Sequence, residues 1–165
     1  MRFVKLLILI LFTTSCSVKY SLTGASISPE TKTFQVNYFQ NNAPLIEPGI
    51  ERDFTNKLID LLINQTSLEL VKSNGDLTYE GEIVEYRVSP MTATANLDAA
   101  QNRLTITINV IFTNFKSEED NFEQRFSFYF DFPAAEQLVS VKNEAHEIIF
   151  ERITQEIFNA SLAKW

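Results

Sequence analysis

The sequence predicts an α+β fold, a two-layer sandwich in which a mixed sheet of about four main strands carries two helices on one face. Three observations predict it. Two long segments, Leu104 to Thr113 and Phe122 to Phe132, alternate apolar and polar residues with the period of a half-buried strand. Two others, Ile50 to Leu62 and Val141 to Ile157, repeat apolar residues at helical spacing. The order along the chain is strand, helix, three main strands, helix, which brings both helices to one side of a single sheet.

The chain opens on Met1, Arg2 and Lys5, then the apolar run Leu6 to Phe12, then Thr13-Thr14-Ser15-Cys16. That apolar run is too short to span a bilayer, which needs about 20 helical residues, and a basic start before it has the layout of a cleaved signal. Small residues before Cys16 suit a signal peptidase, although Thr13 stands where Leu is usual in a lipoprotein signal. Cys16 is the only cysteine. An incidental cysteine behind an ordinary secretory leader is the alternative, but a lone exported thiol has no disulfide partner. Acylation accounts for it. The expectation is a signal over 1–15, a lipidated tether over 16–31 beginning at Cys16, and one domain over 32–165. Ser17 follows, not the Asp that retains enterobacterial lipoproteins, so the expected address is the outer membrane.

The first strand is expected at Thr33 to Phe39, with Phe34, Val36 and Tyr38 facing inward. Pro44, Pro48 and Gly49 break the chain before the first helix, whose stripe is Ile50, Phe54, Leu58, Leu61 and Leu62. A short run, Leu68 to Val71, precedes the turn Ser73-Asn74-Gly75-Asp76. In the next strand the inward residues shift from Leu77, Tyr79 and Ile83 to Val84, Tyr86 and Val88, a change of phase that predicts a bulge near Ile83 to Glu85. After a connection from Met91 to Asn102, Leu104, Ile106, Ile108, Val110 and Phe112 alternate strictly. Phe126, Phe128, Phe130 and Phe132 answer them across a hairpin turning at Ser117 to Asn121. The closing helix carries Val141, Ala145, Ile148, Ile149, Ile153 and Ile157 as its stripe, with Glu144, Glu147, Glu151 and Glu156 opposite.

Removing Arg2 and Lys5 lowers the net charge from −7 to −9. No cluster of Lys and Arg exists to neutralise phosphates, which argues against nucleic-acid binding, and membrane attachment falls to acyl chains. Catalytic groups are few. His146 is the only histidine and reads as a surface helix residue beside Glu147. Glu118-Glu119-Asp120 lacks the glycine turn and alternating ligands of a cation loop and reads as a hairpin tip. Glu80, Glu82 and Glu85 could supply two carboxylates for glycoside hydrolysis, yet no spacing singles out a pair. A non-enzymatic protein without metal or cofactor is expected. Thr33, Gln35, Asn37, Thr105, Thr107, Asn109, Thr113 and Ser127 make a polar, mostly uncharged sheet face, a composition suited to contact with another polar wall.

Tyr20-Ser21-Leu22-Thr23-Gly24-Ala25-Ser26-Ile27 after Cys16, with Tyr38-Phe39, Gly81-Glu82-Ile83, Asn102-Arg103-Leu104-Thr105-Ile106 and Trp165, resembles the lipopolysaccharide-assembly lipoproteins of the LptE family, in their Bacteroidetes branch. The likeness extends over nearly all the mature chain. It implies an outer-membrane lipoprotein on the periplasmic side that plugs a large β-barrel translocon and assists insertion of lipopolysaccharide. Thr105, Thr107 and Asn109 are then barrel-facing candidates. Relatives use basic residues toward the anionic glycolipid, whereas this chain is acidic; Arg87, Arg103 and Arg125 are the cations available for lipopolysaccharide contact, with salt bridges at the rim as their other reading. A lipid-binding module of the cell envelope, holding an acyl chain between helices and sheet, is the alternative function.

Overall fold

A computed structural model describes residues 27–91 and 100–163. Cys16, the signal, most of the tether, Trp165 and most of the Met91 to Asn102 connection lie outside the described residues. The elements are β1 (Thr33–Val36), β2 (Gln40–Asn41), α1 (Ile50–Gln65), β3 (Glu69–Leu70), β4 (Leu77–Met91), β5 (Gln101–Asn114), β6 (Phe122–Pro133) and α2 (Leu138–Leu162). All six strands form one mixed sheet in the order β3-β1-β4-β5-β6, with β2 extending β1 along β4. β1, β2 and β3 pair in parallel, and β4, β5 and β6 form an antiparallel meander. The predicted α+β sandwich is the observed fold.

One core fills the space between the sheet and both helices. Strict period-two alternation puts Leu104, Ile106, Ile108, Val110 and Phe112 of β5 fully under the helices. From β6, Phe126 and Phe132 are buried, while Phe128 and Phe130 only pack against the edge of the core. That grading follows from position, because β6 is an edge strand and its middle is covered by one helix alone. Val36, expected in the core, is likewise only partly buried.

The predicted bulge is present: Ile83 pairs with Ile108 and Glu85 with Thr107, leaving Val84 as the extra residue. It moves Tyr86 to the helix side, as the change of phase required, but Val88 beyond it, on the β4 side of buried Leu104, is exposed. A second irregularity was not foreseen. β1 pairs Val36 with Tyr79 and β2 pairs Gln40 with Glu82, so three residues of one edge face two of β4. The extra residue reverses the expected phase: Tyr38 is exposed and Phe39 is fully buried. Phe39 packs edge-on to Phe54 with ring centroids 5.0 Å apart, and its N–H donates to Thr55 Oγ1. Gly81 permits this inward turn, since a Cβ there would stand 2.0 Å from the Asn109 carbonyl oxygen and 2.9 Å from the Phe39 ring.

α1 keeps its expected stripe, with Ile50, Phe54, Leu58 and Leu62 buried and Glu51 and Asp53 in the first turn, where the helix dipole favours them. α2 is rotated from the expected face. Ile148 is exposed, while Phe150 and Phe158 join Ala145, Ile149, Ile153 and Ile157 in the core. The reason is width: α2 meets the sheet on one flank and α1 on the other, so its buried arc is broader than a single stripe. Within that arc Tyr79 donates to Ser161 Oγ at 3.0 Å, which satisfies a fully buried hydroxyl between β4 and α2.

Candidate functional site

Neither helix covers the outer side of the sheet, and register decides what occupies it. Thr105 lies between Arg87 and Tyr129, Thr107 between Glu85 and Ser127, and Asn109 between Glu82 and Arg125. The three barrel-facing candidates therefore form one central column, flanked by side chains of β4 and β6. Ionised groups are far more frequent on this face than its β5 composition suggests. The hydroxyls and amides are bonded to them: Thr107 Oγ1 donates to Glu85 Oε2 at 2.8 Å, Asn109 Nδ2 to Glu123 Oε1 at 2.9 Å, and Asn37 Nδ2 to Glu80 Oε2 at 3.0 Å. The face is polar, as expected, but charged, and its carboxylates are held by neutral donors.

This arrangement covers Thr107, which retains 8% of its exposure because Ser127 Oγ at 2.9 Å closes over it from the other side. Thr105 and Asn109 stay partly open. Glu85 also accepts from Arg87 Nε at 2.6 Å, and the guanidinium together with Thr107 holds its carboxyl below the usual carboxylate range. A general acid for glycosidic cleavage needs the opposite shift. Glu85 is thus a poor candidate, and Glu80 and Glu82 are already partnered by Asn37 and Asn42.

The three candidate cations do not converge. Arg103 is locked in a fork to Asp131, at 2.7 and 2.8 Å, and its guanidinium carbon stands 3.5 Å from the Tyr129 ring centre. Arg87 and Arg125 line a different feature, a groove of about 550 Å³ bounded by Pro44, Leu45, Val84 and Val88 at the β4 edge. The rows carrying Arg103 and Arg125 are six residues apart along β5, or about 20 Å. Arg87 is exposed and paired with Glu85, whereas Arg125 is exposed and makes no ion pair among the described residues. Of the three, Arg125 alone presents an uncommitted charge.

His146 is not the surface residue expected. It is half-buried between Tyr86 and Phe150, its Nε2 lies 3.1 Å from the Tyr86 hydroxyl, and burial pushes its pKa down. Burial also pushes the Tyr86 phenol up to about 12, helped by Glu47. Glu47 in turn pairs with Lys142 at 2.7 Å, fastening the loop before α1 to α2. No sequence spacing joins residues so far apart. Among the described residues no group of three His, Cys, Asp or Glu could hold a metal ion, and Glu118–Asp120 is a short 3₁₀ turn. No helix among the described residues is long and apolar enough to cross a membrane.

Comparison with known proteins follows the fold. No curated protein matches the chain in sequence. A minor lipoprotein of Acinetobacter baumannii is similar in structure at 14% identity and a TM-score of 0.50, over 81% of this chain and 98% of that one. A hypothetical protein of Chlamydia trachomatis is similar at 9% identity and a TM-score of 0.55, over 81% and 99% respectively. These likenesses establish a shared fold. The family model described as LptE, lipopolysaccharide-assembly, matches residues 31–161, which is almost the entire folded domain. The chain belongs to the LptE family of lipopolysaccharide-assembly proteins.

Proposed function

We propose that the chain is an outer-membrane lipoprotein, acylated at Cys16, that plugs and stabilises the β-barrel translocon for lipopolysaccharide and assists insertion of the glycolipid. The observation that carries this reading is the family match over residues 31–161. The polar sheet face supports it. Thr105, Thr107 and Asn109, the last two bonded to carboxylates, make a wide polar surface suited to the wet lumen of a barrel. The interior between helices and sheet is filled by Phe34, Phe54, Tyr79 and Phe112, which leaves little room for an acyl chain and disfavours a lipid carrier. The carboxylates of this face are bonded to neutral amides and hydroxyls or to arginine, an arrangement that suits a structural role.

If lipopolysaccharide touches this chain, Arg125 and Arg87 at the mixed apolar and cationic groove are the better candidates, and Arg103 serves to position Tyr129 and Asp131. Isolation of the tagged, acylated protein in mild detergent tests the reading. A large β-barrel should co-purify in stoichiometric amount. Lipid retained without a barrel would instead support the lipid-binding module, and Cys16→Ala should leave precursor or released protein in place of the membrane form.

A further inference from the structure

The register of the sheet places several unabsorbed features at one end of the molecule. Leu70, Phe34, Leu77 and Asn114 lie side by side across β3, β1, β4 and β5. Phe115 follows directly and is 67% exposed, although an aromatic ring of that size is ordinarily covered. Ile63, near the last turn of α1, and Leu70 on β3 are exposed at this same end. Phe115 is also held firmly. Its N–H donates to the Asp76 carbonyl at 3.0 Å, and the turn beyond it is closed by Asn114, whose N–H donates to Asn121 Oδ1 at 2.7 Å and whose Nδ2 donates to Asp120.

The chain enters the domain at this end. Asp76 Oδ2 accepts from the N–H groups of Lys32 and Thr33, so the first residues after the tether and the exposed ring are fixed to one and the same residue. Cys16 stands eleven residues before Ile27. Fully extended, that length reaches at most about 40 Å, and because the chain enters the domain here, this pole is the one nearest the anchor along the chain. Charge at the pole leans acidic, with Lys32, Lys72 and Lys116 set against Glu69, Asp76, Glu118, Glu119 and Asp120, which leaves apolar contact as the attraction to lipid.

We propose that this pole docks on the lipid surface that holds the anchor, with the Phe115 ring seated at the headgroup boundary as a second, non-covalent contact. The proposal rests on acylation of Cys16. Phenylalanine suits the place, because a rigid apolar ring gains from the interface without bringing a charge that would need partners.

The test uses the acylated full chain carrying Phe115→Trp in a Trp165→Phe background, so that one indole reports. It is reconstituted in vesicles of phosphatidylethanolamine and phosphatidylglycerol whose acyl chains are brominated. Val139→Trp in the same background marks the opposite pole, at the start of α2. The expected result is quenching of about twofold or more for the Phe115 variant and little for the Val139 variant, unchanged by salt. Equal quenching of the two, or none at position 115 in a chain that is acylated and vesicle-bound, overturns the proposal alone. A chain that takes up no fatty acid at Cys16 overturns the anchoring reading and the proposal together.

Discussion

The Asp76 carboxylate is fixed by the Lys32 and Thr33 N–H groups, the Thr33 hydroxyl and the Lys116 ammonium at 3.0 Å, and returns the favour through its own N–H to Thr33 Oγ1. These donors stabilise the ionised form and hold its pKa well below the usual carboxylate range, with the Lys32 N–H the largest cause. The unfolded chain binds that proton more readily than the folded one. Stability from this group is therefore complete above the ordinary carboxylate pKa, about 3.9, and declines as pH falls below it toward the folded value. Urea unfolding between pH 7 and pH 2 should show a fall at the acid end that is shallower in Asp76→Asn, and that variant should be the less stable protein at pH 7. Equal slopes would remove Asp76 from the account. Such a clasp is illegible in sequence, since it joins residues more than forty positions apart. The Tyr86, His146 and Glu47 group was hidden for the same reason, and His146 looked exposed because it stands beside Glu147.

At the scale of elements, periodicity revealed most of what the structure contains, and it failed where one residue was inserted or a helix met two surfaces. β5 was legible because the helices cover one of its faces and leave the other open, which forces alternation. β6 was legible in phase but not in depth. Phe132 is 2% exposed and Phe128 only partly buried, although both occupy the same face of one strand. Removing a fully buried ring costs about 3 to 5 kcal/mol through lost transfer energy and the cavity left behind. Phe132→Ala should approach that range, and Phe128→Ala should cost less than about half as much because water already reaches its site. Chemical denaturation of the two variants checks it; equal losses would mean that the edge of the core is closed in solution. The reversal at Tyr38 and Phe39 could not be read, because an unpaired extra residue carries no composition of its own. Only Gly81 opposite it gave a sign, and a glycine inside a strand pattern does suggest a close backbone approach.

At the scale of the whole molecule, the fold has one face given to helices, one polar face left open, and one pole at which the chain enters the domain. The candidate site was legible as a column, Thr105, Thr107 and Asn109, because outward residues of a half-buried strand are those its period leaves over. Its chemistry was not, because the carboxylates that bond Thr107 and Asn109 come from neighbouring strands whose register only the fold supplies. Thr107 illustrates the difference: it points outward as expected yet is closed by Glu85 and Ser127, so Thr105 and Asn109 are the positions that can meet a partner. A photoreactive side chain at either position leaves the core untouched and should change stability by less than about 0.5 kcal/mol. The central claim is that this face sits against the barrel wall, and cross-linking in cells reads it directly. Probes at Thr105 and Asn109 should each capture a large, heat-modifiable β-barrel protein, while a probe at the exposed helix residue Ile148 should capture it far less. Capture from Ile148 with none from Thr105 or Asn109, in chains that are folded and membrane-anchored, would place the barrel on the helix side and contradict the account.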